Sequence, residues 1–126
     1  MNSIALRFLG FGLGVLLLFH GLDKIMHGTA VVEKLLIAQK IPYSEYIQYA
    51  VYIGEVLAPI LLIVGKYMRV AGVIVALNMI VVIFLAHQES LLTLDEHGAW
   101  SIEIPVLYLI MALSVALWDK DKQTES

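Results

Sequence analysis

The chain is 126 residues long, 60% hydrophobic before glycine is counted, with a formal net charge of −3. A soluble domain this short has little interior and is about 45–50% apolar with glycine included, so a mean hydropathy of +0.86 points to surface that faces lipid. The acidic balance argues against a nucleic-acid partner, and the absence of cysteine excludes disulfides, thiol chemistry and Cys-ligated metals in this chain.

Four apolar stretches, at about 4–22, 46–64, 70–86 and 100–118, predict four membrane-spanning helices. A helix crosses a ~30 Å hydrocarbon core with about 20 residues, and no period-two alternation suggests a barrel. No A-x-A-like cleavage site follows the first stretch, so it reads as a retained helix rather than a signal peptide. Its Gly10 and Gly14 form a G-x-x-x-G pair, expected to serve packing within the bundle rather than a dimer interface. In the loop that follows, Val31, Val32, Leu35, Leu36 and Ala38 give Thr29–Gln39 the pattern of a short amphipathic helix lying at the interface and ended by Pro42.

The second stretch carries Glu55 about nine residues in, and the third has Asn78 as its one polar residue. His97-Gly98 reads as a turn in the third loop. Trp100 and Trp118 flank the fourth stretch, about 27 Å apart along a helix, as interfacial anchors would be. Pro59 and Pro105 are expected to kink or initiate helices. The expected fold is all-α: an integral membrane antiparallel four-helix bundle over residues 1–118, with a short interfacial helix in the first loop and a polar tail over 119–126. The lipid bilayer is thus the first partner, and an oligomer is compatible with the sequence.

Arg7, Lys66, Arg69, Lys120 and Lys122 fall on one side of such a bundle, against Lys24, Lys34 and Lys40 on the other. The third loop has no basic residue and contains Glu89, Asp95, Glu96 and Glu103. The positive-inside rule therefore puts both termini in the cytoplasm.

Ionisable groups inside a membrane are costly, so each needs a reason. A carboxylate at Glu55 must be protonated, paired or wetted. It is either a proton relay or ligand contact, or a structural hydrogen-bond partner of Asn78 or His20. His20, Lys24 and His27 share a helical face by their spacing, with Asp23 beside it, at the outer end of the first span. His87 ends the third span and Glu103 begins the fourth, so all these groups are expected at similar depth on one side, with Glu55 below them. Such a convergent polar cluster in an apolar chain is the pattern of a ligand site. Lys24 opposes a metal cation; an apolar molecule with polar edges, such as a quinone, fits better. The structural alternative is an ion-pair network that pins the outer helix ends together.

In their order and spacing, the fragments His20-Gly21-x-x-Lys24, Glu55 with its apolar run to Gly65, Arg69, His87, and Gly98 ahead of Glu103-Ile104-Pro105 make the chain resemble the DoxX family of small four-helix bacterial membrane proteins. Ile104 stands where that family usually has an aromatic. The resemblance implies an inner-membrane location and highlights His20, Lys24, Glu55, His87 and Glu103 as ligand-binding, with Asn78 and His27 in support. It also implies a role near quinone-linked redox or oxidative-stress systems, in which some members resemble a membrane subunit of a thiosulfate:quinone oxidoreductase. No flavin, haem or iron–sulfur pattern is present, so electrons would come from a redox partner protein. The rival functions are a non-enzymatic scaffold for a partner protein and a small-molecule transporter, the latter disfavoured by the lack of an internal repeat.

The cysteine-free chain offers a clean test of orientation. A single cysteine at position 90 should react with a membrane-impermeant thiol reagent in intact spheroplasts and one at position 66 should not; the reverse pattern inverts the topology.

Overall fold

The computed structural model describes residues 3–86, 93–94 and 96–118. Among them the secondary structure is helical apart from one antiparallel bridge between Leu94 and Trp100. The elements are α1 (Ser3–His27), α2 (Ala30–Ala38), a short α3 (Ser44–Ile47), α4 (Ala58–Val64), α5 (Met68–Ala86) and α6 (Glu103–Ala116). Between α3 and α4 the chain runs through a 3₁₀ turn, Gln48–Ala50, and a π turn, Ile53–Leu57. Ile4–His27, Ser44–Val64 and Met68–Leu85 are each long and apolar enough to cross a membrane. The fourth stretch forms a shorter apolar helix, α6, of 14 residues or about 21 Å.

Packing is set by small residues. α1 lies against α4, where Gly14 meets Pro59, Leu62 and Ile63 while Gly10 meets Met68 and Leu62. The G-x-x-x-G pair is thus spent inside the chain. α5 and α6 approach about as closely. Gly72 and Ala76 on α5, with Ala112 and Ala116 on α6, form two small-x-x-x-small pairs, and a Cβ on Gly72 would come within 2.8 Å of the Ala112 carbonyl oxygen. Leu13, Leu17, Leu62, Val75 and Val115 are completely buried in the interior. Phe8, Phe19, Leu77, Phe84, Ile110 and Leu117 point outward and stay well exposed. In water such a surface would drive association; against acyl chains it is neutral.

The first loop is an ordered cap. α2 ends in a Schellman motif: Lys40 adopts φ 58°, its N–H reaches the Ile37 carbonyl, and the Ile41 N–H reaches that of Leu36. The helix therefore stops before Pro42, which is not its terminator. A polar staple ties α2 to the second span. Thr29 Oγ1 donates to Gln48 Oε1 at 2.6 Å, and Gln48 Nε2 donates to Glu33 Oε2 at 2.7 Å and to the Glu45 carbonyl at 3.1 Å. Gln48 and Thr29 are both buried, and the network gives their polar atoms partners. At the opposite end, Arg69 Nε donates to the Ala116 carbonyl at 3.2 Å, a cation at the C-terminus of α6 where the helix dipole favours it.

Two alanine substitutions should separate packing from helix propensity. A methyl added at Gly12 would meet nothing within 4 Å, so Gly12→Ala should be neutral or stabilising by up to about 1 kcal/mol. Gly72→Ala must push α6 away and should cost about 1–3 kcal/mol. Thermal unfolding of the detergent-solubilised protein should move in opposite directions for the two.

Candidate functional site

The site begins with a proline. Pro59 has no N–H to close the α-helical bond to the carbonyl of residue 55, and its ring crowds that carbonyl. The helix widens into the π turn Ile53–Leu57, where the Ala58 N–H donates to the Ile53 carbonyl, five residues back. Glu55 sits within this turn, and its backbone faces Gly21 of α1. A Cβ on Gly21 would overlap the Glu55 carbonyl oxygen and lie 2.7 Å from its carbonyl carbon. Only glycine lets α1 pass this close.

Lys24 follows from the same contact. Side chains on a helix lean toward its N-terminus, so three residues beyond Gly21 the lysine stem reaches back to the level of Glu55. Its Nζ stands 3.5 Å from Glu55 Oε1, with side-chain exposures of 20% and 8%. Tyr52, one turn before Glu55, donates its hydroxyl to the Lys24 carbonyl at 3.1 Å and stacks on Tyr49. On the other flank Asn78 of α5 packs on Gly54, where a Cβ would come within 2.6 Å of the Asn78 Cγ. The Asn78 Nδ2 is buried without a hydrogen-bond partner among the described residues.

Two unit charges about 4 Å apart attract by about 4 kcal/mol at an effective dielectric of 20, and the desolvation of both ions offsets that gain. The pair therefore constrains the fold more than it stabilises it. Near it lies an open groove of about 540 Å³ between the C-terminal part of α1 and the π turn, lined by Ile25, Tyr52, Ile53, Val56, Leu57 and Ile60.

Of the residues singled out in the sequence, the structure joins Lys24 to Glu55 and puts Asn78 at the adjoining Gly54. His20 is exposed and meets the buried Tyr108 of α6 edge-to-face, ring centroids 6.1 Å apart. His27 pairs with Asp23 at 2.9 Å on the exposed surface of α1. Glu103 is exposed in the first turn of α6, where the helix dipole favours a carboxylate, and makes no ion pair among the described residues. His87 lies outside the described residues. Among those described, no three His, Asp or Glu side chains gather as a metal would require. From the sequence Tyr52 reads as one of several interfacial or bundle tyrosines and Gln48 has no assigned role, although Gln48, Tyr52 and Glu55 are spaced four and three apart on one helical face. Tyr108 had no such signal.

The model of the DoxX family matches residues 5–88, a segment that takes in His20, Gly21, Lys24, Glu55, Gly65, Arg69 and His87 and leaves Gly98 and Glu103 outside. No curated protein and no solved structure matches the chain.

The ion pair should respond asymmetrically to mutation. Leaving a buried charge without its partner costs roughly 3–5 kcal/mol. Lys24→Met strands the deeper Glu55 and should fall at the low end of that range. Glu55→Leu strands the more exposed Lys24, which can turn toward water, and should cost less. The double variant should be more stable than Lys24→Met alone. Denaturant unfolding of the four proteins in one detergent would test this; additive losses would refute the coupling.

Proposed function

The chain belongs to the DoxX family, and from that premise we propose that it is a membrane component of a quinone-linked redox or oxidative-stress system, holding a lipophilic small molecule beside the Lys24–Glu55 pair. The observation that carries the reading is one juxtaposition: a buried ion pair on a π turn, and an open apolar groove of about 540 Å³ whose wall residue Tyr52 is hydrogen-bonded to the Lys24 carbonyl. Apolar walls suit a quinone ring or its isoprenoid tail, and the Tyr52 hydroxyl gives the groove a polar edge. Lys24 would polarise a carbonyl oxygen, with His20 a second donor on the same helical face.

Reducing a quinone to a quinol takes up two electrons and two protons. In this reading Glu55 delivers or accepts protons in the membrane, and Glu103 and His87 exchange them at its outer edge. Electrons come from a partner protein. Four spans, both termini in the cytoplasm of a bacterial inner membrane and α2 lying in the outer interface complete the arrangement, which puts the groove in the outer half of the bilayer.

A scaffold role is the second reading, and the close contact of Gly21 with the Glu55 backbone favours it: the pair would then fasten α1 to the second span for a partner protein to dock on. Native mass spectrometry and lipid extraction of gently solubilised protein separate the two. A stoichiometric quinone is expected, lost in Ile60→Trp, which fills the groove from its exposed wall, and in Glu55→Gln, with thermal stability retained in both. A chain carrying only phospholipid, or unchanged quinone in both variants, would sink the redox reading.

A further inference from the structure

A second groove opens at the other end of the bundle, where the basic residues gather. It has a volume of about 360 Å³ and runs between α1 and α4, with Ile4, Phe8, Phe11 and Ile63 among its walls. One charged side chain lines it, that of Arg7. The guanidinium lies over Gly65, where a Cβ would come within 2.9 Å of Arg7 Nη2. Gly65 has φ 84° and ends α4, so the chain turns away there and leaves the guanidinium room at the groove's mouth.

Arg7 has no carboxylate within ion-pairing distance among the described residues. Arg69, the other arginine at this end, is already occupied by the Ala116 carbonyl. Lys66, next to Gly65 in the chain, is exposed. A guanidinium with no carboxylate partner among the described residues, at the end of an apolar, lipid-facing channel, is complementary to one kind of molecule: a phosphate attached to an acyl chain. Arginine offers a phosphate a planar fork of donors, and basic residues near the membrane surface attract anionic lipids.

We propose that this groove binds one anionic phospholipid per chain. Its phosphate is held by Arg7 with Lys66 alongside, and one acyl chain lies along Phe8, Phe11 and Ile63. The site is independent of the ion pair at Glu55, at the opposite end of α1.

The test uses full-length protein in micelles doped with equal amounts of phosphatidylglycerol and phosphatidylcholine, read by native mass spectrometry. Retention of one phosphatidylglycerol per chain, at least tenfold over phosphatidylcholine, is expected. Arg7→Gln should abolish that preference and Arg7→Lys should keep part of it. Ile63→Trp, which fills the channel and leaves the charge intact, should lower retention of both lipids at least fivefold and covers the case in which Arg7→Gln does not fold. Equal retention of the two lipids by the unmodified chain, or phosphatidylglycerol retention that Ile63→Trp leaves unchanged, would overturn the proposal.

Discussion

A carboxylate at the centre of an apolar helix can stay charged only if the protein replaces the water it has lost. Much of the chain's local geometry around residues 21–24 and 52–59 is organised by that requirement. Pro59 breaks the regular ladder, the π turn re-aims Glu55, Gly21 lets α1 close on the turn, and Lys24 reaches back to supply the cation. Remove any one of these and the others lose their geometric reason. The lysine is useful here because its long stem lets a residue near the end of α1 neutralise a group deeper in the bundle.

The remaining packing follows a different logic. Lipid is as apolar as leucine, so burying leucine against leucine gains little in a bilayer, and close backbone contact matters more. Hence Gly10 and Gly14 on α1 and the paired small residues of α5 and α6. The two ends of the bundle are finished by polar means of opposite kind: side-chain amide, hydroxyl and carboxylate groups around Gln48 at one, and arginines at helix C-termini at the other.

The membrane character, the helical class and the positions of the apolar stretches were legible because they rest on run length and composition, which tertiary contacts do not alter. Glu55 was legible as an anomaly for the same reason: an acid inside an apolar run stands out wherever it points. Its partner was not. Asn78 and His20 were equally plausible by depth, and the choice of Lys24 depends on how closely α1 can approach, which is set by Gly21 and the Glu55 backbone. Pro59 announced a disturbance in the helix but not its form. The end of α2 misled in the other direction, because Pro42 is the obvious breaker and a lysine in the left-handed region is not. Tyr52 was hidden among aromatic residues that could all have been interfacial.

The π turn also fixes which way the two halves of the second span look. A π turn closes its hydrogen bond over one more residue than an α turn, and each residue advances an α-helix by about 100°. The extra residue therefore swings everything before the turn, Gln48 and Tyr52 included, by roughly that angle relative to Leu62 and the rest of α4. One segment can thus turn its first half toward the polar loop and α1 while its second half faces the hydrocarbon core of the bundle. Drawing the π turn out into regular α-helix without deleting a residue would lengthen the span by only about 1.5 Å, yet it would rotate the polar half out of register with its partners. In this segment, residue count carries information that composition alone does not.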